Sequence, residues 1–133
     1  MRYMLDTNMC VYIIKRRPAV VLERLGEALH LGVGLSSIAL SEQEYGVARS
    51  SRPRENRAAL TEFVLPLLIA PYDEGAACCY GELRARLEAA GQPLGSLDTL
   101  IGAHALSLGC ALVTNNEREF ARIPGLALEN WTR

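Results

Sequence analysis

Apolar residues fall in two patterns along the chain: short uninterrupted runs, and longer stretches where they recur every three or four positions. The first pattern marks buried strands, and the second marks helices with one face against a core. Arg2 to Leu5 reads as a short buried strand. Thr7 to about Lys15 reads as a helix whose apolar surface comes from Val11, Tyr12 and Ile14. Pro18 opens a second helix, running to about Leu29, at the first-turn position that proline tolerates. Gly32 to Ser37 is a second strand, and Ala39 to about Ser50 is a helix. Pro53 opens another helix through Leu60, Phe63, Val64 and Leu67, and Leu68 to Ala70 is a short strand. Asp73 caps a long helix ending near Ala90. Ser96 caps the next, which Gly109 stops. Cys110 to Thr114 is a strand of the fully buried kind. Asn116 to Arg122 is a short helical turn, and Ala127 to Asn130 is an edge strand.

Strands alternating with helices describe an α/β architecture, a three-layer α/β/α sandwich around a central, mostly parallel sheet. In such sheets, sites form beyond the carboxyl ends of the strands. Asp6 closes the first strand, and Asn115 and Asn116 follow the Cys110 strand. The 133 residues form one domain, residues 1–133, long enough for a real core. No apolar run is long enough to span a bilayer, and the N-terminus lacks a signal-peptide pattern. A cytoplasmic protein is the expectation. Cys10, Cys78, Cys79 and Cys110 form no Cys-x-x-Cys pair and are read as small buried hydrophobes.

Charge changes the picture locally. The net charge is −1, so nothing global advertises nucleic acid. Yet Lys15, Arg16 and Arg17 form one basic cluster, and Arg49, Arg52, Arg54 and Arg57 form another. Arginine suits phosphate because its planar fork binds two oxygens at once. The bland alternative for each cluster is a solvated helix end.

Three acids are isolated. Asp98 is the only formal charge between Ala89 and Asn116, Asp6 ends an apolar run, and Glu42 closes an uncharged stretch that begins after Glu27. A carboxylate in apolar surroundings is expensive unless something compensates it. Each acid also has a bland reading. Asp6 serves as a helix cap. Asp98 lies in a first helical turn, where the helix dipole favours negative charge. Glu42 pairs with Arg49. Against these, Asp98 shares a stripe with Ile101 and Ala105, and Glu42 shares one with Ile38 and Tyr45, while Glu44 points to solvent. We therefore expect Asp6, Glu42 and Asp98 to converge. Two carboxylates about 4 Å apart repel by roughly 4 kcal/mol at an effective dielectric of 20. A hard divalent cation relieves this, and oxygen-only ligands suit Mg2+, with Mn2+ as the alternative. His104 lies well around the helix from Asp98 and is read as a packed core histidine.

Taken in order, Met4-Leu5-Asp6-Thr7-Asn8, Ser37 to Glu42 with Tyr45-Gly46-Val47, Asp98 with Ile101 and Ala103-His104-Ala105, Leu112 to Asn116 with Glu119-Phe120, and Pro124-Gly125-Leu126 through Trp131 resemble a PIN-domain ribonuclease of the VapC toxin type. The resemblance spans essentially the whole chain. It implies a toxin of a type II toxin–antitoxin system, a metal-dependent endoribonuclease acting on a structured RNA such as transfer RNA. The subgroup that cuts initiator transfer RNA in its anticodon loop is the nearest likeness. Asp6, Glu42 and Asp98 take the acidic roles and the metal. Thr7, Asn8 and Thr114 orient them. Lys15, Arg16, Arg17, Arg49 and Arg52 face RNA. The family's fourth acid position is Asn116 here, a departure, with Glu119 three residues on as a stand-in. The resemblance further implies homodimerisation, a neutralising VapB-type antitoxin in a hetero-oligomer, and operator DNA bound only through that antitoxin. The competing reading is a catalytically silent module that keeps the fold for protein contacts, and Asn116 is its support.

Overall fold

A three-residue strand organises the molecule. In the computed structural model, which describes all 133 residues, β1 (Tyr3–Leu5) lies at the centre of a five-stranded sheet. Its neighbours are β2 (Val33–Ser36) and β4 (Ala111–Val113), and β3 (Leu68–Ala70) and β5 (Leu128–Glu129) form the edges. Every pairing is parallel, with Tyr3 opposite both Val33 and Ala111. Strands covered on both faces are apolar throughout. Accordingly Met4, Leu5, Val33, Leu35, Leu112 and Val113 are all buried.

Two helices follow β1, α1 (Thr7–Ile14) and α2 (Ala19–Ala28), and two follow β2, α3 (Ser37–Ala48) and α4 (Pro53–Val64). Then come α5 (Glu74–Ala89) and α6 (Ser96–Leu108) after β3, and the single turn α7 (Glu117–Phe120) after β4. Parallel crossovers are right-handed in nearly all proteins. Since the chain moves outward from β1 to β3 and then returns to β4 on the other side, α1–α4 cover one face and α5–α7 the other. The expected sandwich is thus realised, with every strand pair parallel. No helix is long and apolar enough to cross a membrane.

Local chemistry explains most boundaries. Asp73 caps α5 by accepting the Ala76 N–H at 3.0 Å, and Gly109 ends α6 at φ +67°, a conformation that favours glycine. Two expectations need correction. Ser96 is not the cap of α6. Gly95 holds that position and Ser96 is the first helical residue, so Asp98 is the third. Helix α3 begins at Ser37 rather than Ala39, because the Ser36 hydroxyl accepts the Ile38 N–H at 3.1 Å. The cysteines also divide. Cys10 and Cys110 are buried as expected, but Cys78 is exposed and Cys79 half-buried. The inward face of α5 is carried by Ala76, Leu83 and Leu87, which leaves position 78 outside.

Candidate functional site

Asp6 sits where the sheet changes direction. The connection leaving β1 goes to the β2 side, whereas β4 continues toward β5, so the ends of β1 and β4 open a crevice. The Asp6 N–H donates to the Val113 carbonyl at 3.1 Å, which locks the two strand ends together. Its side chain caps α1, accepting the Met9 N–H at 2.8 Å. Capping and site formation therefore use the same carboxylate. Asp6 is only 4% exposed. Burial pushes its carboxyl above the usual aspartate range. Hydrogen bonds from the Thr114 hydroxyl and the Met9 N–H oppose that shift, and the nearby charge of Asp98 reinforces it.

Asp98 comes from the first turn of α6, where N–H groups and the helix dipole favour a carboxylate. It is half-buried, and its carboxyl too is pushed up, first by burial and then by the charge of Glu119. Close packing brings Glu119 there. One turn beyond Asp98, Gly102 lies so tight against Ile123 and Phe120 that a Cβ would come within 2.4 Å of the Ile123 side chain. Helix α6 therefore presses directly on the segment that carries Glu119. Asn116 holds Glu119 in turn, its amide donating to Glu119 Oε2 at 3.3 Å, while the Asn116 N–H donates to the Thr114 hydroxyl at 2.9 Å. Thr114 thus links Asp6 to Asn116, and Asn116 links to Glu119. The position that departs from the family's acid carries a residue that fixes an acid three places on.

Glu42 is not buried with this group, against the inward placement expected for it. Its side chain is exposed. The inward face of α3 runs through Ala39, Gln43 and Val47, and Glu42 lies on the flank with Tyr45 and Arg49. Tyr45 is 62% exposed, with the Arg49 guanidinium 5.5 Å over its ring, so the stripe chosen for Glu42 turns outward after Ile38, which packs against the core. The α3 side chain that does reach the crevice is Gln43, whose amide donates to the Thr7 carbonyl at 3.4 Å. The sequence reading missed it because an uncharged amide in a mixed stretch gives no signal. Glu44 is solvated as expected and pairs with Arg57.

No three His, Cys, Asp or Glu side chains are gathered closely enough to enclose a metal ion by themselves. The oxygen donors still suit a hard cation. Asp6 and Asp98 are mutually repelling carboxylates with raised pKa, and Thr7, next to Asp6 in the chain, has a buried hydroxyl oxygen with no hydrogen-bond partner. Magnesium is typically held by one or two carboxylates, with waters and substrate phosphate completing its shell, and not by an all-protein cage. Asn8 is exposed and makes no side-chain bond within the chain.

His104 is a core residue, as read from its helical position. It is 1% exposed, its Nδ1 lies 2.8 Å from the Ser36 hydroxyl, and its ring meets Tyr72 edge-on at 5.3 Å. Burial holds its pKa below the ordinary histidine value, against weaker opposing effects from Asp73 and the Pro71 carbonyl. The folded state therefore keeps the ring neutral, while the unfolded chain takes up a proton below about pH 6.5. Stability from this site is complete above that pH and falls as the pH drops further. Replacing His104 with Asn is expected to flatten the slope of unfolding free energy between about pH 5 and 7, read by urea titration. An unchanged slope would show that His104 does not titrate with folding.

The basic clusters differ in availability. Arg16 pairs with Glu62, Arg52 with Glu55 and Arg57 with Glu44. Lys15, Arg17 and Arg49 are exposed with no acidic partner within 4.0 Å.

The PIN domain profile matches residues 3–126. The chain is 42% identical to the tRNA(fMet)-specific endonuclease VapC of Shigella flexneri over 133 residues, covering 99% of each protein. It is also 42% identical to ribonuclease VapC2 of Rickettsia felis over 134 residues, covering both fully. Among solved structures, VapBC2 from Rickettsia felis bound to a promoter DNA fragment superposes with a TM-score of 0.94 at 41% identity, covering 98% of this chain and 99% of that one. DNA-bound VapBC from Salmonella typhimurium gives the same TM-score, 0.94, at 41% identity and 98% coverage of each chain.

Proposed function

Because this chain belongs to the VapC family of PIN-domain ribonucleases, we propose that it is the toxin of a type II toxin–antitoxin pair, a divalent-metal-dependent endoribonuclease that cuts transfer RNA. The observation that carries the reading is the pairing of buried Asp6 with Asp98 across the β1–β4 crevice, each with a raised pKa.

 No lysine or arginine forms an ion pair with Asp6, Asp98 or Glu119, so no protein cation neutralises them.

In this reading Asp6 and Asp98 hold Mg2+, or Mn2+ in its place. Bound there, the ion lowers the pKa of water and stabilises negative charge on the phosphate. The chain's own residues supply orientation. The Met9 N–H and the Thr114 hydroxyl fix Asp6, Asn116 fixes Glu119, and Glu119 adds a further acidic charge beside Asp98. Thr7 offers its unpartnered hydroxyl from the start of α1. Glu42, exposed on α3, acts through water. Asn116 alone favours a catalytically silent binding module, since it removes an acid. Its bond to Glu119 answers that objection by keeping an acid in the site. The partner is a VapB-type antitoxin in a hetero-oligomer built on a toxin homodimer, with operator DNA bound through the antitoxin, and the protein acts in the cytoplasm.

The test is cleavage of initiator transfer RNA by the purified chain, with RNA ends mapped by sequencing. Cutting is expected within the anticodon loop in Mg2+, and chelation of the metal is expected to stop it. RNA left intact in Mg2+ and in Mn2+, by protein that still binds its antitoxin, would favour the silent module.

A further inference from the structure

A second feature adjoins the crevice and has no part in the acidic group. Tyr12, half-buried on α1, receives a 2.7 Å hydrogen bond at its hydroxyl from the side chain of Asn115, 103 positions away. Asn115 lies between Thr114, which bonds Asp6, and Asn116, which bonds Glu119. The Tyr12 ring is therefore tied to the end of β4 that builds the catalytic group. Beside it opens a shallow concavity of about 400 Å3, lined by Val11, Tyr12, Lys15, Arg17 and Pro18.

The backbone around this concavity is unusual. Helix α1 ends with the Arg16 N–H bonded to the Ile13 carbonyl and the Arg17 N–H bonded to the Tyr12 carbonyl. That closure needs a left-handed residue, normally glycine, at the position after the cap. Here it is Arg16, at φ +59°. Strained backbone of this sort clusters at ligand clamps and functional sites. Its result is to set Lys15 and Arg17 on the rim of the concavity. Both are exposed, and neither has an acidic partner within 4.0 Å.

We propose that Tyr12, Lys15, Arg17 and Asn115 form a nucleotide-binding subsite in which an unpaired RNA base stacks on Tyr12 while Lys15 and Arg17 hold the adjoining phosphates. The inference rests on the ribonuclease reading and adds a positioning site to it. An aromatic face flanked by free cations is the arrangement that binds single-stranded nucleic acid, because every base has a face to stack and every nucleotide a charge. Tyr12 lies six residues along α1 from Asp6, roughly 9 Å along the helix axis. That separation suits a nucleotide next to the one being cut. The requirement for a splayed base selects loops over duplex. An acidic peptide would use the two cations but leave the ring and the Asn115 amide unused.

The experiment compares wild type, Tyr12→Ala, Tyr12→Phe and Arg17→Glu as full-length proteins. Cleavage of a hairpin RNA with an unpaired loop gives KM and kcat. Binding of the same RNA, and of a fully paired duplex, is read by fluorescence anisotropy in an Asp98→Asn background. Tyr12→Ala is expected to raise KM and Kd for the hairpin by about 5- to 150-fold, the worth of one lost stack, with kcat within about 3-fold of wild type. Tyr12→Phe, which keeps the ring, is expected to recover most of the loss. Arg17→Glu, fully on the surface, is expected to weaken binding and reduce its salt dependence. Unchanged KM and Kd in Tyr12→Ala and Arg17→Glu would overturn the subsite while leaving metal-dependent cleavage standing. Weakened antitoxin binding with RNA affinity intact would overturn it in favour of a protein contact. If wild type cuts no RNA, the ribonuclease reading fails by itself, and anisotropy still decides whether Tyr12 binds RNA.

Discussion

Asp98→Asn is expected to abolish RNA cleavage and, in the same protein, to raise the melting temperature of the metal-free form at pH 7. The first effect follows from its place opposite Asp6, where it is proposed to hold the ion. Loss of an outer partner of a metal ligand already costs 10- to 100-fold, so removing the ligand's charge should exceed about 100-fold. The second effect follows from the raised pKa. Burial, then the charge of Glu119, makes the ionised carboxylate less comfortable in the folded protein than in the unfolded chain. As the pH rises from about 3.9, the unfolded chain releases this proton first. The folded state is therefore penalised through and above that range, and stability from this group is lost as pH increases. Asn keeps the size and hydrogen-bonding ability of the side chain and removes the charge, so the penalty goes. Divalent ion should reverse the order. Saturating Mg2+ or Mn2+ stabilises a protein that binds it by an amount that grows with concentration, about 2.7 kcal/mol at 100 times Kd. Wild type should gain this shift and Asp98→Asn should lose most of it. Calorimetry with chelator and with metal reads both effects. A variant that melts lower than wild type in chelator, or that gains as much from metal, would show that Asp98 is a structural helix-start acid.

The legible parts of this fold are those where one physical cause dominates. Strands buried on both faces read as unbroken apolar runs, so β3 was placed at its observed bounds and β1 and β4 within a residue or so. Asp6 and Asp98 stood out because a charge in an apolar segment has few cheap explanations, and both do adjoin the crevice. Glu42 shows the limit of that reasoning. Helix α3 carries small and apolar residues around much of its circumference, so its stripe through Ile38, Glu42 and Tyr45 was as plausible as the true one through Ala39, Gln43 and Val47. Only the packing against neighbouring helices decides between them. The Ser96 cap failed for a similar reason. Gly95 and Ser96 both suit that position, and the preceding loop chose between them. The bonds from Thr114 to Asp6, from Asn116 to Glu119 and from Asn115 to Tyr12 join residues whose roles depend on tertiary contact, and no local pattern announces them.

Trp131→Ala is expected to destabilise the protein by about 3–5 kcal/mol, the range for deleting a large buried ring. That is a large fraction of the 5–15 kcal/mol typical of a whole domain. Trp131 is two residues from the C-terminus, yet it is 1% exposed. Its ring packs edge-on against Tyr3 of β1 at 5.6 Å, and its Nε1 donates to Glu129 at 3.0 Å. Glu129 in turn accepts the Thr114 N–H through its carbonyl at 2.9 Å. The Trp131 side chain therefore anchors the β5 edge that holds the end of β4, and β4 carries Thr114 up to Asp6. Next to it, the Asn130 amide and the Arg133 guanidinium both reach Glu117 at the start of α7, the turn that carries Glu119. Loosening this tail should reach the site as well as the core. Below its own melting range, Trp131→Ala should show lower kcat with little change in KM, because ligand orientation suffers before RNA contacts do. Trp131→Phe fills most of the volume, and it should restore most of the stability while lacking the bond to Glu129. Urea unfolding and steady-state kinetics on the three proteins read these effects. A loss under about 1 kcal/mol would mean that the tail merely covers the sheet, since full burial of a ring this size normally carries several times that. Normal kcat in a folded but weakened Trp131→Ala would break the link between the β5 edge and Asp6.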